Sequence, residues 1–401
     1  MIAISKIRDF LQFLGSVKGD LANITAPPPT FLPPMSVTEI GTCWVERPSL
    51  FAAPALEPDP ELRAVLVLKW ILASLLSQLY IDGGPGHGIK KPLNAFLGEI
   101  FQAQWSDGRA TSNLVSEQVS HHPPITAVYM WDDENGIRGE GYARVEMTFS
   151  GSVDIRQTGH AMLHIDKYDE DHLIFLPGCS TRGFMSGVLF PEISGTYHIV
   201  SSSGFVSEVV FSGTSLLGRG KRNAVKATTY RRDDRSKTPL YVTSGCWSDS
   251  FTIYKGNTMD VVEVWNPAQP ENTAAKTTIL PLEEQDCWES RRAWKDVIAA
   301  LRRRAFGDAV TGKSKIETAQ RLMRVEEKEN KVIWKPLLFA PLQGAYEIFE
   351  RLGSAVGWDL HADKTKGVWK VDREKVKSLS RPFHPGMTPL GQEPPGEGCK
   401  T

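Results

Sequence analysis

Apolar and polar side chains alternate from about Phe96 to Trp265, with short turn signals between the runs. The clearest run extends from Ile137 to Phe149, where every second residue is apolar or glycine. A period of two indicates β-strands, and no helical pattern separates them. Such a series predicts an antiparallel meander, which must close or be covered because free strand edges aggregate. We expect a mainly β fold, a large near-closed antiparallel β-barrel that encloses a cavity.

The N-terminal residues predict an amphipathic helix. Residues 4–18 place an apolar arc along one side of a helix, and this arc includes Ile7, Phe10, Leu11 and Leu14. A proline-rich stretch at 26–34 follows, and it predicts a stiff, extended linker. The helix either packs on the core or forms a movable lid that touches a membrane.

A second helical pattern covers residues 61–80. It is strongly apolar but short, and it contains Lys69 and Gln78, so a buried core helix is favoured over a transmembrane span. Two charged helical segments follow Pro281, at 285–306 and 308–331. We expect one domain over 1–380, with a lid (1–29), an N-terminal helical segment (30–95), the barrel (96–280) and a C-terminal helical region (281–380). The Pro- and Gly-rich tail (381–401) is expected to be disordered.

The overall charge and the cysteines limit the class of protein. The formal net charge is -1, so no global field attracts nucleic acid or an anionic membrane. Five dispersed cysteines without a CxxC pair favour reduced thiols in the cytoplasm over disulfides or a zinc site. We expect a monomer that binds no metal ion, no cofactor and no nucleic acid.

The stretch Glu117–Pro124 reads EQVSHHPP. Proline lacks a backbone N–H, so two adjacent prolines exclude the middle of a paired strand and indicate a strand end, an edge or a turn. Neighbouring strand residues point to opposite faces. His121 and His122 therefore converge on one ligand only if the backbone turns there.

Two blocks carry a resemblance to a known family. EQVSHHPP, together with the stretch KKPLNAFLGE at Lys90–Glu99, resembles the signature blocks of the oxysterol-binding-protein-related lipid carriers; Ala95 stands where that family has proline. The resemblance extends from Gly19 to about Arg321, and more weakly to Trp369. It implies a lidded barrel around a lipid tunnel.

The same resemblance implies a function. A short member of this family would be a cytoplasmic carrier that exchanges a sterol for phosphatidylinositol 4-phosphate between membranes, both lipids competing for one tunnel. It would contact membranes transiently, at the Golgi and endoplasmic reticulum by family resemblance. A phosphatidylserine/phosphatidylinositol 4-phosphate exchanger and a phosphoinositide sensor without transfer activity remain as alternatives.

Lys313, Glu317 and Arg321 are spaced by four residues on one expected helix, so they share a face. By themselves they indicate a solvated surface with salt bridges. The resemblance instead aligns them with the headgroup-binding helix of the family. It implies that the phosphates and inositol are bound by Lys91, Asn94, His121, His122, Lys313 and Arg321. Glu317 would orient the basic groups or accept hydrogen bonds from inositol hydroxyls.

The resemblance also assigns Trp44, Gln78 and Gln157 to the tunnel. Two departures weaken the expectation of a sterol ligand. Ala143 stands where a polar asparagine is expected in sterol-binding members, and Leu79 follows Gln78, with the tyrosine displaced to Tyr80. A sterol site needs one or two polar groups for the hydroxyl, so phosphatidylserine or another lipid stays open.

One stretch of the sequence matches a motif of enzymes that bind nucleotides. Gly307–Ser314 matches GxxxxGK[ST], but a phosphate loop needs a preceding strand, and Trp294–Arg304 reads as a helix. No HExxH and no GxSxG occurs. We therefore expect no enzymatic activity.

Overall fold

The computed structural model describes residues 32–81, 89–149, 153–183, 189–213, 221–360 and 365–392. Within them, fifteen strands form one antiparallel sheet. These strands are β1 (Ile100–Ser106), β2 (Thr111–His121), β3 (Pro124–Asp132), β4 (Ile137–Phe149), β5 (Val153–Ile165), β6 (Glu170–Ile174), β7 (Cys179–Arg182), β8 (Phe190–Ile193), β9 (Gly195–Ser201), β10 (Phe205–Ser212), β11 (Ala224–Arg231), β12 (Tyr241–Cys246), β13 (Phe251–Lys255), β14 (Val261–Trp265) and β15 (Thr277–Thr278).

The order of the strands is that of a meander. From β14 to β9, and from β6 to β1, each strand pairs with its neighbour in the chain, while β7 and β8 lie off this path. The long strands β4 and β5 pair over their full length, from Ile137 opposite Ile165 to Phe149 opposite Val153. The two ends of the sheet, β14 and β15, do not pair with each other in the part of the chain described. The expected large, near-closed antiparallel sheet is confirmed, and it is not strictly closed.

The helices before the sheet form one side of the core. A 3₁₀ helix (Val37–Trp44) is followed by α1 (Pro48–Leu56) and α2 (Pro60–Leu79). The side chain of Asp59 caps α2 by accepting a hydrogen bond from the N–H of Glu61. Helix α2 is long and apolar enough to cross a membrane, but most of that window, 61%, is buried inside the protein. Its side chains Leu68 and Leu72 belong to the main hydrophobic core, as expected for a core helix.

The region after the sheet is only partly helical. It begins with α3 (Ser290–Ala293), α4 (Lys295–Arg302) and α5 (Phe306–Glu329). A two-stranded sheet of β16 (Phe339–Pro341) and β17 (Trp369–Val371) follows, together with the short helices α6 (Glu347–Gly353) and α7 (Arg373–Lys377). The expected C-terminal helical region at 281–380 thus contains the helices α3 to α7 and, after α5, the two strands β16 and β17.

The tail also differs from the expectation. Residues 381–392 are packed, and they include a small hairpin of β18 (Met387–Thr388) and β19 (Gly391–Gln392). Phe383 is buried, and Arg381 forms an ion pair with Glu289. The composition predicted disorder because it contains no information on which side chains are buried. Here one buried aromatic ring anchors the segment. Residues 393–401 lie outside the described part.

The GxxxxGKS stretch lies within the first turns of α5. Its backbone N–H groups are therefore not arranged as a loop that wraps phosphate, and α4 rather than a strand precedes it. The predicted lid helix at 4–18, with Ile7, Phe10, Leu11 and Leu14, lies outside the described residues.

Candidate functional site

A cavity of about 660 Å³ lies between the sheet, the segment 89–97, the end of α2 and helix α5. This volume is within the range that binds small molecules, roughly 300–1,000 Å³. We call two groups of its lining residues the apolar wall and the polar wall. The apolar wall consists of Val145, Met147, Val153, Ile155 and Leu189. The polar wall consists of Lys91, Asn94, His121, His122, Glu317 and Arg321.

The two histidines lie at the turn between β2 and β3. His121 is the last residue of β2, and β3 begins at Pro124, so the strand-end turn expected from the two prolines is present. The rings of His121 and His122 are in edge contact, with centroids 4.7 Å apart. The turn thus brings two consecutive side chains to one cavity.

His121 is neutral at physiological pH. Burial, with smaller contributions from the neighbouring His122, Arg324 and Arg321, lowers its pKa to about 4. Its Nδ1 is buried without a hydrogen-bond partner among the described residues. A phosphate group beside this ring would supply both a hydrogen-bond acceptor and a negative charge, and it would raise the pKa of the imidazole.

The segment that carries Lys91 and Asn94 is held in place by a buried glutamate. Lys91 Nζ donates to Asn94 Oδ1 at 2.8 Å. Glu99, which is fully buried, accepts hydrogen bonds from the N–H of Phe96, from Thr38 Oγ1 and from Trp294 Nε1. This carboxylate ties the lysine-bearing segment to the 3₁₀ helix and to the C-terminal region.

Helix α5 supplies the remaining charged groups. Lys313 is 5% exposed, and its ammonium group is ion-paired with the carboxylate of Glu317 one turn later. Glu317 and Arg321 line the cavity. Lys313 does not line it, but its ammonium group contacts Glu317. Six of the seven residues expected to bind a headgroup are thus brought to one cavity, and the seventh is bonded to one of them.

The expected tunnel residues are only partly brought together. Gln78, Ala143 and Gln157 line the cavity, and the amide of Gln157 donates to Pro177 O at 2.7 Å. Trp44 is not among the lining residues of the described chain. Its ring packs edge-on against Trp70, at 5.8 Å between centroids, and its carbonyl accepts a hydrogen bond from the Trp70 indole. In this structure Trp44 contributes to the packing between the 3₁₀ helix and α2, and its assignment to the tunnel stays a prediction.

Sequence analysis missed the roles of two residues. Glu117 is fully buried and accepts hydrogen bonds from the N–H groups of Leu337 and Leu338, at 2.6 and 2.8 Å. Burial raises the pKa of this carboxyl to about 7. Arg324 lines the cavity. Arg324 follows Glu317 by seven residues, a spacing that places both on the same face of a helix. Helical periodicity could therefore have predicted its position.

The sequence profile of the oxysterol-binding protein family matches residues 10–378. This chain belongs to the oxysterol-binding protein family. A "Probable transporter efuK" from Hormonema carpetanum is 46% identical over 378 residues, which are 94% of this chain and 54% of that protein. The chain therefore spans about half the length of that relative. "Protein kes1" from Schizosaccharomyces pombe is 34% identical over 332 residues, which are 81% of this chain and 84% of that protein.

Solved structures share the fold. The Osh1 ORD domain in complex with ergosterol superposes with a TM-score of 0.67 at 20% identity, over 91% of this chain and 86% of that domain. The Osh3 ORD in complex with PI(4)P from Saccharomyces cerevisiae superposes with a TM-score of 0.65 at 20% identity, over 85% of this chain and 87% of that chain. At this identity the likeness establishes the architecture of this family member.

Proposed function

We propose that this family member is a lipid-transfer protein that binds a sterol or phosphatidylinositol 4-phosphate, one at a time, and exchanges them between membranes. The observation that carries the proposal is that one cavity holds both the polar wall and the apolar wall. A phosphoinositide needs both kinds of surface, and a sterol needs the apolar one. Because the two ligands would share the apolar wall, they would compete.

The polar wall suits an inositol phosphate. Lys91 and Arg321 provide positive charge, and the guanidinium forms paired hydrogen bonds with phosphate oxygens. The ammonium group of Lys313 lies behind them, ion-paired with Glu317. Each hydrogen bond to a charged group is worth roughly 1.5–3 kcal/mol, so removal of two such groups abolishes useful affinity.

The apolar ligand requires shelter during transport, because exposed apolar surface costs about 25 cal/mol per Å². We assign this shelter to the lid at residues 1–29. The protein would work as a monomer in the cytoplasm and touch membranes transiently, at the Golgi and endoplasmic reticulum by family resemblance. Phosphatidylserine is the second candidate for the exchanged lipid. Ala143 favours it, because this residue offers no polar group to a sterol hydroxyl.

The test is native mass spectrometry after incubation with mixed-lipid vesicles. We expect the wild type to retain one phosphoinositide or one sterol, never both, and His121→Ala/His122→Ala to lose only the phosphoinositide. The control is His164→Ala/His198→Ala, since neither of these histidines lines the cavity; it should bind both lipids normally. Retention of phosphatidylserine in place of sterol would select the second candidate. If no lipid is retained, the proposal fails.

A transfer assay separates a carrier from a sensor. Small amounts of the protein should accelerate lipid movement between two vesicle populations, whereas a sensor would only bind. Deletion of residues 1–29 should slow transfer while headgroup binding remains. Unchanged transfer by the deletion variant would refute the role of the lid.

A further inference from the structure

Arg324 lies on the cavity, but none of the expected headgroup contacts includes it. It follows Arg321 by three residues on α5, so both side chains are on one face of the helix. Both residues line the cavity. Its positive charge contributes, with that of Arg321, to the lowered pKa of His121.

The hydrogen bonds of this guanidinium are unsatisfied. Its Nε, Nη1 and Nη2 atoms are each buried, and none has an acceptor in hydrogen-bonding geometry among the described residues, although Nη2 is in ion-pair contact with Glu327. A guanidinium carries five N–H donors, and a buried donor without an acceptor costs free energy. The ring centroid of Trp334 lies 5.2 Å from the guanidinium carbon, and the ring offers this group only its face. An anionic ligand in the cavity would supply the missing acceptors.

Arg324 does have a resident counter-ion. A carboxylate oxygen of Glu327 lies 2.7 Å from Nη2, one turn further along α5. Burial raises the pKa of the Glu327 carboxyl and lowers that of the Arg324 guanidinium, so both charges are partly removed from water. A cavity that alternates between an uncharged and an anionic lipid needs such a carboxylate, because a buried cation facing an uncharged lipid is costly.

We propose that Arg324 is an additional phosphate-binding residue of the cavity and that Glu327 neutralises it when the cavity holds an uncharged lipid. This inference rests on the proposed function and extends it. The guanidinium binds a phosphate of the phosphoinositide headgroup through the N–H groups that the protein leaves without acceptors. With a sterol bound, the ion pair with Glu327 keeps the cation compensated. The polar wall thereby serves two ligands of different charge.

The test compares three variants of the full chain. Arg324→Gln removes the charge, Glu327→Gln removes the counter-ion, and Lys328→Gln is a matched control that removes an exposed cation from the same helix outside the cavity. The probes are phosphatidylcholine vesicles containing phosphatidylinositol 4-phosphate, and a fluorescent sterol for the uncharged ligand. The midpoint of thermal unfolding is measured for each variant to confirm that it is folded.

We expect Arg324→Gln to weaken phosphoinositide binding about 10- to 100-fold, from the loss of one charge-assisted contact, and to leave sterol binding within about twofold. Glu327→Gln should weaken sterol binding and keep or strengthen phosphoinositide binding. The Lys328→Gln control should change neither affinity. If the salt bridge were purely structural, each of the two variants would instead lose affinity for both ligands to the same extent.

Two failures are distinguishable. If the wild type binds the phosphoinositide and Arg324→Gln binds it equally well, the inference is overturned while the proposed function stands. If the wild type binds no phosphoinositide, the proposed function fails and the inference fails with it. Equal loss of both ligands in a folded Arg324→Gln protein also overturns the inference.

Discussion

The buried carboxyl of Glu117 should give this protein a stability that falls as the pH rises. Its pKa is raised by burial from an ordinary 4.5 to about 7, although two backbone N–H groups donate to it. Between these values the folded protein holds a proton that the unfolded chain has released. The free energy of unfolding therefore decreases from about pH 4.5 to about pH 7. At about 1.4 kcal/mol for each pH unit, the contribution of this one group amounts to roughly 3 kcal/mol.

Glu117→Gln removes this titration but keeps the shape of the side chain. The amide oxygen can still accept from one N–H, whereas the amide nitrogen faces the other donor, which costs about 1–3 kcal/mol. The destabilisation by the substitution should therefore be larger near pH 5 than near pH 8. Urea unfolding at several pH values, followed by the fluorescence of the 11 tryptophans, measures it.

The exposed Glu374 provides the control, because its side chain is 83% accessible. Glu374→Gln should change stability little at any pH in this range. If Glu117→Gln costs the same at both ends of the range, the carboxyl does not titrate as inferred. If the destabilisation by Glu117→Gln grows with pH, the pKa of Glu117 is lowered instead of raised. The hydrogen bonds from the two N–H groups then outweigh the effect of burial.

Two further predictions concern single buried positions. Gly98 has φ +82°, and an added Cβ would lie 2.3 Å from Cζ2 of Trp334, so Gly98→Ala should lower the free energy of unfolding by about 2 kcal/mol or more. Gly108 has the same φ, but no atom lies within 4 Å of an added Cβ, so Gly108→Ala is the control. Equal losses of stability in the two variants would show that Trp334 moves aside at no cost. Burial among aromatic rings lowers the pKa of His160 to about 3. Since the unfolded chain takes up this proton first, the free energy of unfolding should fall as the pH drops below 6.5 towards 3. His160→Phe should reduce this slope by roughly 1 kcal/mol for each pH unit. An unchanged slope in acid unfolding would contradict the effect of burial on the pKa.

Local features of this fold follow from adjacent residues in the sequence, whereas contacts between distant segments do not. Local periodicity correctly predicted β4, the buried helix α2 and the turn at His121, because side-chain alternation and proline chemistry are properties of adjacent residues. It did not predict the packing of Trp44 or of the tail after Arg381. In both cases the outcome depends on which distant surface the aromatic ring meets, Trp70 in the first and the pocket of Phe383 in the second.

The sequence by itself determined the class of fold and the residue types of the candidate site. Alternation required a sheet too long to leave uncovered, and the two family blocks contained the lysine, asparagine and histidines of the polar wall. Only the tertiary structure decided that β2, the segment 89–97 and α5 border the same cavity, although about 200 residues of chain separate His121 from Arg321. It also decided that Glu117 binds backbone and that Arg324 faces the cavity with Glu327 beside it. Such relations arise from packing between elements distant in the chain, and a local pattern of residues does not encode them.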